Sequence, residues 1–326
     1  MKNPKNTVVL AAIALGMFLS TVSFAQPVQV DEKLPHYKKT TGIKGNLNSI
    51  GSDTILNMMT LWAEGFKAMY PEVKIQIEGK GSSTAPPALI EGTAQLGPMS
   101  RKMKSEEVDK FEAKYGFEPT RLSIALDALA IYVNKDNPLK GMDFAEADAV
   151  FSSTRKRGYK EEVTTWDQLG LKGEFSNKPI SIYGRNSASG TYGYFKDDVL
   201  KKGDYKNTVK EQPGSASVVQ GVSEDKFGIG YSGIGYKTSG VRALPLAEKA
   251  GEEFYEPDAE NVNNGKYPLS RYLYINIVKN PSKELDPLVK EFLKYVLSYE
   301  GQQIVVKDGY LPLSDKVVEK MLKMLD

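Results

Sequence analysis

The sequence predicts an α/β fold of two lobes, each a mixed sheet flanked by helices, with two hinge strands joining them. Three observations lead there. Strand-like segments alternate with amphipathic helix-like ones along the chain. Removing an N-terminal export signal, residues 1–25, leaves 301 of 326 residues, long for one hydrophobic core and suited to two. Two apolar segments, Leu122 to Asn134 and Tyr272 to Val278, bracket a block with strands and helices of its own. One lobe is therefore expected from both chain ends and the other between the two crossovers. On this division residues 26–42 are a leader, 43–126 with 275–326 the first lobe, and 127–274 the inserted second lobe.

The export signal has a positive start (Lys2, Lys5), an apolar stretch from Val8 to Leu19 too short to span a bilayer comfortably, and a small-x-small cleavage site at Ser23-Phe24-Ala25. Gln26 then begins the mature chain, and no Cys stands there to carry a lipid anchor. These features predict a soluble, exported protein. The leader contains the single histidine, His36, among charged residues, which reads as a solvated linker position.

Asn46 to Ile50 reads as a strand ending at Gly51-Ser52-Asp53-Thr54. A helix follows, with Ile55, Met58, Met59, Trp62, Phe66 and Met69 at three- and four-residue spacing as its core face, stopped by Pro71. Val73 to Ile77 alternates with period two, a strand running into Gly79-Lys80-Gly81-Ser82-Ser83-Thr84. A helix opens near Pro86-Pro87, since proline is tolerated in a first turn. Gln95 to Met99 leads to Ser100-Arg101, and Glu106 to Tyr115 is a polar surface helix. In the inserted block, Trp166 reads as a packing anchor. Pro179 to Tyr183 reads as a strand, and Phe195 to Leu200 as a helix. The glycine-rich run Gly228 to Tyr236 lacks the lysine and following helix of a nucleotide loop and reads as a tightly packed strand and turn. An amphipathic helix at Leu288 to Leu297, the segment Gly301 to Val306, Gly309 to Leu313 and a terminal helix close the chain.

Composition narrows the function. The formal charge of +2 falls to zero once Lys2 and Lys5 are removed, without the basic surplus of a nucleic-acid binder. With no cysteine, thiol chemistry, thiolate metal sites and disulfides are excluded. With one histidine, a Ser-His-Asp triad or a multi-histidine metal site has no residues to draw on.

The most informative stretch is Gly184 to Phe195, which holds Arg185, Ser187, Ser189, Gly190 and Thr191 where a strand hands over to a helix. The first amides of a helix lack intrahelical partners and sit at the positive end of its dipole, which makes the position receptive to anions. An arginine adds a planar fork suited to oxyanions. Gly51-Ser52-Asp53-Thr54 and Gly81-Ser82-Ser83-Thr84 repeat the design: strand end, glycine, hydroxyls, helix start. Ser and Thr also favour such places as plain helix caps. Three such loops shared between two lobes, however, would supply many donors to one tetrahedral anion if they converge on a cleft, each contributing about 1.5–3 kcal/mol.

In these motifs, and in this order over essentially the whole mature chain, the sequence resembles the phosphate-binding proteins of bacterial phosphate ABC importers, the PstS type. The shared features are Gly-Ser-Asp-Thr, Gly-x-Gly-Ser-Ser, Gly-x-x-Ser-Arg after a Gly-Thr-Ala turn, and Arg-x-x-x-Ser-Gly-Thr. The resemblance implies a type II periplasmic binding protein that closes over its ligand and delivers phosphate to transmembrane permease subunits in the inner membrane. It implies a monomer with no cofactor, no catalytic residue and no nucleic-acid partner. The candidate ligand set is Ser52, Asp53, Thr54, Ser82, Ser83, Ser100, Arg101, Arg185, Ser189, Gly190 and Thr191.

Two positions depart from the family pattern. Ser100 stands where well-known members carry an aspartate that accepts the proton of hydrogen phosphate and so rejects sulfate. Ser187 stands where they carry an acid that holds the arginine. Asp53 is the candidate replacement acceptor, with capping of the helix after it as the plainer alternative. The residues leave open another oxyanion (sulfate, molybdate or tungstate), a purely structural or adhesive role, and a secreted phosphatase or hydrolase, against which stands the lack of a general base near the serines.

Overall fold

A computed structural model describes residues 28–326; the export signal expected at residues 1–25 lies outside the described residues. The strands are β1 (Gly45–Gly51), β2 (Val73–Gly79), β3 (Gly97–Met99), β4 (Thr120–Asn134), β5 (Met142–Asp143), β6 (Ser181–Arg185), β7 (Lys210–Gln212), β8 (Gly228–Gly233), β9 (Val241–Ala243), β10 (Leu246–Ala247) and β11 (Ser270–Ile277). The helices are α1 (Leu56–Met69), α2 (Ala85–Glu91), α3 (Ser105–Tyr115), α4 (Phe144–Phe151), α5 (Gly190–Asp198), α6 (Ser215–Glu224), α7 (Ala259–Asn263), α8 (Pro287–Val296), α9 (Tyr299–Lys307) and α10 (Asp315–Lys323).

β4 organises the molecule. Its first half, from Thr120 to Ala128, pairs antiparallel with β11, and its second half pairs antiparallel with β8 and β9. The resulting sheet runs β3-β11-β4-β8-β6-β7, with parallel pairs at β6–β8 and β6–β7. β1 and β2 form a parallel pair whose register brings Gly51 beside Gly79, and a parallel bridge from Ser49 to Leu96 ties β1 to the approach to β3. The sheet is thus mixed, as expected, and β4 is continuous through both of its halves.

Two large apolar cores flank this frame. The first gathers Met58, Met59, Trp62 and Phe66 of α1 with Leu47, Ile275, Phe292 and Val305. Trp62 also donates its indole N–H to the Gly301 carbonyl at 2.8 Å. The second gathers Leu129, Ile131, Phe151, Trp166, Phe195 and Tyr231. The spacing on α1 and the anchoring role of Trp166, which is wholly buried, follow the sequence pattern. Gly228 to Gly233 is a buried strand followed by a short 3-10 turn, Ile234–Tyr236, so this glycine run is packing.

Three local expectations need correction. β6 lies two residues later than expected, because its partner β8 begins at Gly228, opposite Ser181. α5 begins at Gly190, not near Phe195. Ser189 caps it by accepting from the amides of Thr191 and Tyr192 at 3.1 and 3.3 Å, so the Ser-Gly-Thr motif is itself the first turn. His36 is exposed but not merely solvated: its Nδ1 lies 2.8 Å from Glu300 Oε1 at the start of α9. The leader is pinned there too, with Tyr37 N donating to Glu300 and Tyr299 N to the Pro35 carbonyl.

Candidate functional site

The three hydroxyl loops are built alike and meet. β1 and β2 end side by side, and Gly81 N donates to the Gly51 carbonyl at 2.8 Å, which aligns the turns at Asp53–Ile55 and Ser82–Thr84. Gly81 takes φ 110°, a region open to glycine, and a Cβ there would come within 2.5 Å of the Ala188 carbonyl oxygen. That carbonyl belongs to the third loop and accepts from Ser83 N at 3.1 Å and Ser83 Oγ at 3.0 Å. A Cβ at Gly190 would stand 2.2 Å from Ser82 Oγ and 2.6 Å from Ser100 Oγ. Only a bare α-carbon lets the start of α5 come so close.

At this junction Ser52 Oγ donates to Ser100 Oγ at 3.1 Å, Ser82 Oγ lies 3.2 Å from Ser100 Oγ, and Thr54 Oγ1 lies 3.0 Å from Thr191 Oγ1. Ser52, Thr54, Ser82, Ser100, Ser189 and Thr191 are all buried. Neighbouring donors set the direction of several hydroxyls. Ser82 Oγ accepts from Ser100 N at 3.0 Å, Ser189 Oγ from two helix amides, and Thr191 Oγ1 from the guanidinium of Arg271 at 2.9 Å. A hydroxyl has one proton, so each of these three can accept such a bond and still donate: Ser82 faces Ser100 Oγ, Thr191 faces Thr54 Oγ1, and Ser189 keeps its proton. An anion among them would take over these donors.

Arg185 is wholly buried beside it. Its NH1 donates to Ser215 Oγ at 2.6 Å and lies 3.2 Å from Asp53 Oδ2, and its NH2 donates to the Pro213 carbonyl at 3.2 Å. Its Nε is buried with no hydrogen-bond partner among the described residues, so one donor of the fork is unused. Burial pushes the guanidinium's pKa down, and Asp53 opposes the shift.

Arg101 is not brought into this cluster. Both terminal nitrogens grip Glu107 at 2.7 Å, and NH1 also donates to the Lys102 carbonyl. Glu107 is the third residue of α3 and reaches back to Lys104 N at 2.8 Å, so Arg101 fastens the start of that helix. Asp53 is nearby, but its Oδ2 is engaged by Arg185 and by Ser215 N at 2.7 Å.

The sequence reading missed a second buried arginine. Arg271 of β11 binds Asp127 of β4 through Nε and NH2 at 3.0 and 2.8 Å, and donates to the Ser100 carbonyl and Thr191 Oγ1. Asp127 also accepts from Ile234 N at 3.0 Å. The signal was present: Asp127 is a lone carboxylate inside the apolar run from Leu122 to Val133, and a buried carboxylate calls for a cation. Tyr236 and Tyr310 were missed as well. Their hydroxyls donate to the carbonyls of Asp53 and Thr54, both at 2.9 Å, and steady the first loop.

Residues 38–300 match the family model of the PBP superfamily domain. Over 325 residues the chain is 55% identical to the phosphate-binding protein PstS of Pseudomonas aeruginosa, covering 100% of this chain and 99% of that one. The chain belongs to the PstS family of the PBP superfamily. Another PstS protein, from Staphylococcus epidermidis, is 29% identical over 86% of this chain and 82% of its own. A phosphate ABC transporter substrate-binding protein from Clostridium perfringens, solved with bound phosphate, superposes with a TM-score of 0.70 at 26% identity, over 83% of this chain and all of that one. An ABC-type phosphate transport receptor from Vibrio cholerae has a similar fold, with a TM-score of 0.63 at 22% identity over 82% of this chain and all of that one.

Proposed function

We propose that this protein is a periplasmic phosphate receptor: it captures inorganic phosphate in the cleft between its lobes and delivers it to the permease subunits of an ABC importer in the inner membrane. The observation that carries this reading is the meeting of Ser52, Ser82 and Ser100 with Thr191 and Gly190. Hydroxyls from the loops after β1, β2 and β3 and from the start of α5 lie within hydrogen-bonding distance of one another, and a buried arginine in the same region has an Nε unpartnered among the described residues; this supports a shared anion site. In this reading the first lobe comprises residues 43–126 and 275–326, and the second residues 127–274. Phosphate is held by Ser52, Thr54, Ser82, Ser100, Ser189, the start of α5 at Gly190 and Thr191, and by Arg185, while Ser83 locks the loops together. An anion that touches both lobes at once favours the closed form over the open one, which is how a receptor of this kind signals occupancy.

The receptor makes and breaks no bond. Activating a serine needs a general base. The two carboxylates beside these hydroxyls, Asp53 and Asp127, are each held by an arginine, and His36 sits at the surface on Glu300.

Calorimetric titration of refolded mature protein with phosphate, arsenate, sulfate and molybdate tests the reading, refolding serving to remove any copurified ligand. Phosphate and arsenate are expected to bind tightly and sulfate weakly. Heat from sulfate or molybdate with none from phosphate would overturn it.

A further inference from the structure

We infer that Asp53 is a positioning residue that acts across the cleft: from the first lobe it holds Arg185 of the second lobe in its buried pose and supplies the missing cap of α6. The inference rests on the phosphate-receptor reading above.

Two independent features meet at this carboxylate. The first is the ion pair, in which Asp53 Oδ2 lies 3.2 Å from Arg185 NH1. Asp53 follows the end of β1, whereas Arg185 ends β6, inside the block between the two hinge strands. The second is the helix start. α6 has Gly214 at its N-cap, with no side chain to accept from the first amides. Ser215 N donates instead to Asp53 Oδ2 at 2.7 Å. A carboxylate at a helix N-terminus satisfies an orphan donor and opposes the positive end of the dipole. Here it comes from 162 residues away in sequence and from the other lobe. The absence of a side chain at Gly214 makes room for it, since a Cβ there would lie 3.2 Å from Asp53 Oδ1.

The same contacts set the pose of the arginine. Ser215 Oγ, Pro213 O and Asp53 Oδ2 surround NH1 and NH2, which leaves Nε as the donor without a protein partner. Asp53 thus meets the guanidinium at NH1 and leaves that donor clear. Its Oδ2 is engaged by Arg185 and Ser215 N, so the carboxylate helps an incoming anion through the cation it holds. Tyr236, donating to the Asp53 carbonyl, fixes the loop from the second lobe as well. When the lobes part, Asp53 leaves Arg185 and Ser215 together, so closure and placement of the arginine form one event.

The test compares wild type with Asp53→Asn. It reads phosphate and sulfate affinity by calorimetry, and the size of the ligand-free protein by small-angle scattering. Asn can still accept from Ser215 N but carries no charge for Arg185. The expected result is a phosphate affinity lower by about 10-fold, the loss of a hydrogen bond to a charged group. The phosphate-to-sulfate ratio should stay unchanged, and the ligand-free molecule should become more open. In an Arg185→Met background the same substitution is expected to have little further effect on phosphate affinity. Ser215→Pro, at a position where proline is tolerated, removes both the amide that Asp53 caps and the hydroxyl that accepts from Arg185; it leaves Asp53 in place and should also open the ligand-free protein, with Ser215→Ala, which removes the hydroxyl alone, as its control. A changed phosphate-to-sulfate ratio with unchanged dimensions would make Asp53 a direct acceptor of the ligand's proton and overturn the inference. So would full additivity with Arg185→Met. If wild type fails to bind phosphate, the functional reading falls, while opening of ligand-free Asp53→Asn still decides the cross-cleft role.

Discussion

Arg185 and Arg271 are both buried and both paired with a carboxylate, yet they do different work. Arg271 lies on β11 and its partner Asp127 on the adjacent strand β4, residues that face each other in the ladder. That pair is internal to the hinge and survives any motion of the lobes about it. Its remaining donors go to Ser100 O and Thr191 Oγ1, so Arg271 supports the site from behind. Arg185 is paired with a carboxylate from the loop after β1, and its Nε donates to no atom of the described residues. The lesson is that a buried arginine reads as structural when its carboxylate shares its sheet and every arm is matched. It reads as a ligand arm when its partner can move away and a donor is left over.

Substitutions can break this contrast, the largest effect first. Arg271→Met strands Asp127 as an uncompensated buried charge, a loss of about 3–5 kcal/mol. Thermal unfolding of the ligand-free protein should fall by on the order of 10 °C. Arg185→Met should lower phosphate affinity by about 100-fold in calorimetry, a charge-assisted contact being removed, while the melting temperature shifts far less because Asp53 is partly exposed and can rehydrate. Equal melting shifts for the two variants would dissolve the distinction.

Asp308 sharpens it from the other side, as a half-buried carboxylate with no arginine. Burial pushes it from 3.8 up to about 6, with the Asn57 side chain opposing, and its Oδ2 has no hydrogen-bond partner among the described residues. The folded-state value is raised, so the stability it contributes is complete below about pH 4 and is lost as pH rises through 6. Asp308→Asn should therefore raise the melting temperature at pH 8 and leave it nearly unchanged at pH 4.5. A variant equally stabilised at both values would remove the titration from the account. Arg101→Ala should have the smallest effect on binding, under about 2-fold by calorimetry, because its fork is already matched by Glu107, one charged hydrogen-bonding partner being enough to hold it. A large loss would return Arg101 to the ligand set.

Much of this was legible in the chain. Period-three-and-four apolar spacing placed α1, period-two alternation placed β2, and the glycine-hydroxyl turns marked the three loops, because these signals depend on residues close in sequence. The two apolar crossovers marked β4 and β11 for the same reason. What was not legible depends on pairs far apart. Nothing near Asp53 says that its carboxylate caps a helix beginning at Ser215, and nothing near Arg101 distinguishes a fork aimed at a ligand from one aimed at Glu107. The start of α5 was misplaced because the Ser-Gly-Thr turn reads as loop by propensity, while capping by Ser189 makes it helix.

By itself, then, the sequence determined the α/β alternation, the two-lobe plan and the three donor-bearing turns, since local periodicity and turn chemistry carry that information along the chain. The tertiary structure alone decided which donors share a point, which arginine faces them and which carboxylate holds it. Those outcomes depend on how two lobes meet across a hinge, and a carboxylate's role is set by the cation that burial places beside it.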